Sequence, residues 1–264
     1  MDPITLYFTG TAGAGKTSLT SAMKAWMEEQ GYSTATVNLD PGMEDPSFTP
    51  DVDVREWVKL EEVMAESNLG PNGAQIAASD LVAVHISSVR DALESLHADY
   101  VLVDTPGQVE LFAFRESSKA ILEELGGDRS MIAFLFDPML ARFPSGFVSL
   151  ILLSATVQFR FGLPMMNVLS KTDLLQPVEK ENLARWGESR DALAEAISAT
   201  SFKSDGMVTT EFFRALEIIE PNWVLLPTSA REEEGLTDLY AAVQQAFLGG
   251  EELDKDSGKP GESL

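Results

Sequence analysis

The sequence predicts an α/β fold in three layers (αβα): a mainly parallel sheet between helices, with a helical insertion after the second strand. Three observations predict it. Short apolar runs rich in strand formers alternate with segments of helical period, the pattern of a sheet covered on both faces. The first run ends in a glycine-rich turn that leads straight into a helix. The 264 residues are 44% hydrophobic and contain no Pro/Gly/Ser-rich linker, so residues 1–248 are expected to form one domain with one large core.

Taken in order, Ile4 to Thr9 reads as the first strand. Lys16 to Gln30 follows as a helix, with Leu19, Met23, Trp26 and Met27 on one face and Gly31 as its stop. Thr34 to Leu39 is the second strand. Tyr100 to Val103, Met131 to Phe136, Met165 to Leu169 and Trp223 to Leu226 are four more. The insertion spans about 41–98. Within it, Asp53 to Ser67 is partly helical and Gln75 to Leu96 reads as one long helix. Between them Gly70-Pro71-Asn72-Gly73 has turn chemistry, since proline fixes φ and glycines allow positive φ. Helical segments near 179–200 and 209–219 precede the last strand. A final helix carries Leu236, Leu239, Tyr240, Val243 and Phe247. Residues 249–264 are polar and acidic, as in a disordered tail.

The formal net charge is −23, which disfavours nucleic acid and anionic lipid as partners and fits solubility or a salt-rich cytoplasm. With no cysteine, disulfides, thiolate metal sites and cysteine nucleophiles are excluded together. The two histidines are too few for a histidine metal cluster. No basic, apolar leader follows Met1, and Gln158, Arg160 and Pro164 interrupt the apolar stretch from Phe147 to Leu169. A buried helix and strand are expected there rather than a membrane span, in a cytoplasmic protein.

Gly10-Thr11-Ala12-Gly13-Ala14-Gly15-Lys16-Thr17 has the spacing G-x-x-x-x-G-K-[ST] between a strand and a helix, which makes the expected architecture a P-loop NTPase fold. Glycines let backbone N–H groups wrap phosphate oxygens, and the helix N-terminus adds positive potential. The expected cradle is Gly10, Gly13, Ala14, Gly15, Lys16, Thr17 and Ser18. Lys16 reaches the β- and γ-phosphates and the Thr17 hydroxyl ligates Mg²⁺. Asp104 ends an apolar strand before Thr105-Pro106-Gly107-Gln108. A carboxylate there can hold Mg²⁺ through water, Gly107 allows close approach to a γ-phosphate, and Gln108 can orient water.

Another strand ends in Ser170-Lys171-Thr172-Asp173, which resembles the guanine motif N-K-x-D with serine for asparagine. By that resemblance Asp173 accepts from guanine N1–H and the 2-amino group, and Lys171 lays its stem along the base. Thr228-Ser229-Ala230 follows the last strand, and by the same resemblance the Ala230 N–H meets guanine O6.

The chain resembles the GPN-loop GTPases of archaea and eukaryotes. The matches are Gly10 to Thr17, Asn38-Leu39-Asp40-Pro41, Asp53-Val54-Arg55-Glu56, Gly70-Pro71-Asn72-Gly73, Asp104 to Glu110 and Ser170 to Leu174, in family order. The resemblance implies a homodimer in which Asn72 of the Gly-Pro-Asn loop acts in trans near the γ-phosphate, supplying an amide donor where other GTPases use an arginine finger. It also implies Asp40 near Mg²⁺ or the attacking water. The early lysine of nitrogenase-iron-protein relatives is replaced here by Thr11-Ala12. In eukaryotes the family is linked to RNA polymerase assembly, which implies a client protein.

The expected chemistry is attack of water on the γ-phosphate of GTP, yielding GDP, with Lys16, Asp40, Asn72, Asp104 and Gln108 at the reacting groups. Two alternatives stand beside it. A P-loop small-molecule or nucleotide kinase would need an arginine-rich lid, and residues 176–221 offer Arg185, Arg190 and Arg214. A GTP-dependent switch would need little intrinsic hydrolysis. The apolar helix from Phe147 to Val157 could serve the core, a dimer interface or a client; continuous apolarity favours the core.

Overall fold

The computed structural model describes residues 2–43, 48–200 and 224–249. Seven parallel strands form one sheet: β1 (Ile4–Gly10), β2 (Thr34–Asn38), β3 (Val52–Asp53), β4 (Tyr100–Asp104), β5 (Ser130–Phe136), β6 (Met165–Leu169) and β7 (Leu225–Pro227), in the order β3-β2-β4-β1-β5-β6-β7. Strand β1 lies at the centre, and side chains alternate between its faces. Ile4, Leu6 and Phe8 join the core under α1 (Lys16–Glu29) and the C-terminal helix, while Tyr7 joins the core on the other face.

The second face is covered by α4 (Ile86–Glu94), α5 (Val109–Ala113), α6 (Ser117–Leu125), α8 (Pro144–Phe161), α9 (Pro177–Glu188) and α10 (Arg190–Thr200). The short α7 (Pro138–Ala141) precedes α8, and α11 (Leu236–Leu248) closes the first face. Helix α8 buries Phe147, Val148, Leu150, Ile151 and Val157, as its apolarity predicts, although Phe159 remains 91% exposed. No helix among the described residues is long and apolar enough to cross a membrane.

The insertion differs from expectation in three ways. It contains β3, tied to β2 because the Asp51 carboxylate accepts from the Thr36 N–H at 2.8 Å and hydroxyl at 2.7 Å. The long helix is two: α3 (Pro71–Val84) and α4, parted at His85, with α2 (Leu60–Ser67) before them. The Gly-Pro-Asn-Gly segment is not a positive-φ turn. Asn68 takes the left-handed conformation that ends α2, Gly70 caps α3, and Pro71 and Asn72 form its first turn. Proline suits that first position because its missing N–H has no helical partner to lose. Alanines 74 and 78 pack this helix on Val58 and Val63. The expected helix near 209–219, Arg214, Trp223 and the tail beyond Gly249 lie outside the described residues.

Candidate nucleotide site

The site residues gather at the carboxyl ends of the strands, where the chain order reverses about β1 and open α/β sheets bind ligands. Register aligns Phe8 with Asp104 and Gly10 with Leu135, so the glycine-rich loop leaves the sheet beside Asp104. Gly10 cannot bear a side chain: a Cβ would stand 2.6 Å from the Leu135 carbonyl oxygen. Gly15 caps α1 at φ +92°, with the Lys171 stem across it; a Cβ there would stand 3.0 Å from Lys171 Cε.

Lys16 is 5% exposed and donates to the carbonyls of Gly10 (3.2 Å), Thr11 (3.1 Å) and Gly107 (2.7 Å). Burial pushes its ammonium down to about 8, while Asp104, Asp40 and Glu110 hold it up and Lys171 opposes them. Asp104 is 1% exposed, and neither carboxylate oxygen has a hydrogen-bond partner among the described residues. Burial pushes it up to about 6. Thr17, whose hydroxyl faces the carboxylate short of full hydrogen-bond geometry, pulls it down together with Lys16, and Asp40 adds like-charge repulsion. A fully buried, partnerless carboxylate beside a threonine hydroxyl suits a hard divalent cation, which takes oxygen ligands. No group of three or more His, Cys, Asp or Glu arranged to hold a metal ion occurs among the described residues, so such an ion would need phosphate and water as further ligands.

Asp40 lies just beyond β2. Its carboxylate accepts from the N–H of Gly42 at 2.9 Å and of Gly107 at 3.0 Å. Gly107 is thus gripped on both sides, its N–H by Asp40 and its carbonyl by Lys16. Gln108 is exposed and caps α5. Glu110 is absent from the candidate set drawn from the sequence, yet its charge reaches Lys16; its place in the first turn of α5, just after the Gly107 turn, was the available signal.

The base end is stitched from two loops. Thr172 donates its N–H to the Thr228 carbonyl at 3.1 Å, and Thr228 donates to Leu169 at 2.8 Å. Ser170 is buried and its hydroxyl reaches the carbonyls of Ala14 (2.7 Å) and Phe136 (3.1 Å), so serine still ties this loop to the phosphate loop. Lys171, left-handed at φ 51°, donates its ammonium to the Gly13 carbonyl. Asp173 accepts from the Ser229 hydroxyl at 2.8 Å. A 170 Å³ cavity lies between Gly15, Ser18, Lys171, Asp173, Ala230 and Arg231. Arg231 was not singled out from the sequence, although it directly follows Thr228-Ser229-Ala230. A larger hollow of 690 Å³ opens at the opposite end of the sheet, where its Arg90 is paired with Glu124 and Glu94.

Asn72 is exposed in the first turn of α3, and its side chain has no hydrogen-bond partner among the described residues.

Known proteins resemble this chain in sequence and fold. Residues 8–248 match a family described as "Conserved hypothetical ATP binding protein". The chain is 33% identical over 242 residues to GPN-loop GTPase PAB0955 of Pyrococcus abyssi, covering 91% of this chain and 96% of that one. The chain belongs to the GPN-loop GTPase family. GPN-loop GTPase 2 of Xenopus tropicalis is 32% identical over 249 residues, covering 90% and 80% of the two chains. The crystal structure of the apo form of the Pyrococcus GPN-loop GTPase superposes with a TM-score of 0.81 at 31% identity, covering 93% of this chain and 98% of that one. The family's sheet of parallel strands between helices is therefore the fold of this chain.

Proposed function

We propose that this chain hydrolyses GTP to GDP and phosphate as a homodimer, with the Gly70-Pro71-Asn72 loop of each subunit completing the other's site. The observation that carries the hydrolytic reading is the buried, partnerless Asp104 carboxylate facing Thr17 and Lys16 at the mouth of the phosphate loop. The Lys16 ammonium, now held by three backbone carbonyls, turns onto the β- and γ-phosphates, where negative charge restores its full protonation. Backbone N–H groups of residues 13–18 hold the remaining phosphate oxygens. Thr17, Asp104 and Asp40 would hold Mg²⁺, which supplies positive charge against the phosphate oxygens. Gln108 and Asp40 orient water in line with the γ-phosphate, and the Gly107 N–H turns from Asp40 to a γ-oxygen. Asp173, already fixed by Ser229, accepts from the guanine edge, and the Ala230 N–H meets O6.

The trans role rests on the exposure of Asn72 and on its side chain having no hydrogen-bond partner among the described residues. The helix that bears it also leaves Ile76 (42%), Leu81 (39%) and Val84 (72%) exposed, apolar surface suited to a second subunit. The kinase alternative is disfavoured because Leu183, Trp186, Leu193 and Ile197 bury α9 and α10 in the core, where they cannot act as a lid. An assembly or chaperone-like cycle is favoured by Met139, Leu140, Phe143 and Phe159, exposed outside the site.

The test is Mg²⁺-dependent phosphate release from GTP and from ATP by wild type, Asn72→Ala and Lys16→Ala. GTP-selective release, lost in each variant and partly recovered on mixing the two, is expected, because one site of the mixed dimer combines an intact loop with an intact cradle. Preference for ATP would overturn the role of Asp173. Absence of recovery in a proven mixed dimer would overturn the trans role.

A further inference from the structure

The sequence Asp53-Val54-Arg55-Glu56 has no part in the chemistry described above, and β3 carries it to the flank of the site. The Asp53 carboxylate grips Arg55 with both oxygens, through Nε at 3.0 Å to each and through Nη2 at 2.5 Å. Its Oδ1 also accepts from the Arg55 N–H at 3.0 Å and from Asn38 Nδ2 at 2.9 Å. Burial pushes this carboxyl up, but its bonds from Arg55 and Asn38 outweigh that and hold it below the usual range.

Asn38 is fully buried at the end of β2 and turns these contacts toward Asp40. Its Oδ1 accepts from the Asp40 N–H at 2.9 Å and its Nδ2 donates to the Asp40 carbonyl at 3.2 Å. On the far side of the loop, the remaining arm of Arg55, Nη1, donates to the Met43 carbonyl at 2.9 Å. The loop that presents the Asp40 carboxylate to the Gly107 N–H is therefore held at both ends by one ion pair.

We infer that Asp53 and Arg55 are positioning residues for GTP hydrolysis, acting through Asn38 and the Met43 carbonyl to set the Asp40 carboxylate against the γ-phosphate sensor at Gly107. This rests on the proposed role of Asp40. A guanidinium is needed because three arms must point two ways at once. An ammonium is a single point of donors and cannot grip Asp53 with two nitrogens while reaching Met43. Neither residue hydrogen-bonds to the phosphate loop or to the 170–173 and 228–230 loops, so their loss should leave those loops intact.

The experiment compares full-length wild type, Asp40→Ala, Arg55→Lys, Arg55→Met and the double variant Asp40→Ala/Arg55→Met. Three quantities are read: GTP turnover, GDP affinity, and hydrogen exchange of the 40–43 and 104–110 segments in nucleotide-free protein. Expected are a fall in kcat of about tenfold or more in both Arg55 variants, GDP affinity within about twofold of wild type, and faster exchange at the Gly42 and Gly107 amides that Asp40 accepts from. The double variant should turn over no more slowly than Asp40→Ala, because the two residues act as a unit. Wild-type turnover in Arg55→Met, unchanged exchange, multiplicative losses in the double variant, or a loss that tracks GDP affinity would each overturn the inference. Unchanged turnover in Asp40→Ala would instead overturn the proposed role of Asp40 itself.

Discussion

Replacing Asp104 by asparagine should stabilise the nucleotide-free protein while destroying its activity. The carboxylate is 1% exposed and without a hydrogen-bond partner among the described residues. Its proton affinity rises from the ordinary carboxylate value of 3.8 to about 6. At 1.4 kcal/mol per tenfold change, ionising it in the folded state at neutral pH costs about 3 kcal/mol relative to the unfolded chain. The sign follows from linkage. The folded state holds the proton more tightly, so the cost is absent below about pH 4, grows as pH rises, and is complete above the folded-state value of about 6. Asparagine removes it, but also removes a charge that supports the buried Lys16, so the net gain should be about 1–3 kcal/mol at pH 7.5 and about half that at pH 5. Chemical denaturation without nucleotide or Mg²⁺ measures it directly; a thermal melt should move up by roughly 2–4 °C per kcal/mol. GTP turnover should fall by at least about a hundredfold, because the proposed Mg²⁺ site loses its buried charged ligand. A variant less stable than wild type at pH 7.5, or a gain independent of pH, would refute the electrostatic reasoning.

Lys16 should titrate in the nucleotide-free protein near pH 8, so GDP affinity should weaken as pH rises from 7 to 9.5; a flat binding curve over that range contradicts the burial-driven shift. Asp173→Asn should cost GTP affinity about 10–100-fold, since a charged acceptor is lost. It should also improve XTP binding, because xanthine carries a carbonyl where guanine carries its amino group; competitive binding assays read both. Gly15→Ala forces a side chain to φ +92° and onto Lys171, so it should lower stability by about 1–3 kcal/mol and weaken nucleotide binding together, measured by thermal melting and titration. Phe147→Ala opens the core beside Phe136 and Trp186 and should cost about 3–5 kcal/mol in urea unfolding.

Much of the fold and site was legible in the sequence for local reasons. A phosphate loop is a continuous segment whose glycines, lysine and threonine must stand at fixed offsets, so spacing alone exposes it. The buried strands Ile4–Gly10, Tyr100–Asp104 and Ser130–Phe136 read clearly because both faces are covered and most positions are apolar. Asp104 was recognisable because it ends such a strand, and Asp173 because Ser170-Lys171-Thr172-Asp173, which resembles the guanine motif, follows the strand Met165–Leu169.

What tertiary structure decided lies where local signals run short. Two residues, Val52 and Asp53, are too few for a period, and they become a strand only because Asp51 pins them to Thr36. The Gly-Pro-Asn segment has the composition of a turn, but it opens a helix because Ala74 and Ala78 bury that helix against Val58 and Val63. The grip of Arg55 on both Asp53 and the Met43 carbonyl, the pairing of Asp40 with Gly107 and the approach of Glu110 to Lys16 join groups set on different strands and turns. By itself the sequence determined which segments are apolar, where glycine freedom is available and which residue types stand at strand ends. Folding decided which of those residues meet, because burial brings together groups that chain spacing leaves apart and removes the water that would otherwise keep their charges independent.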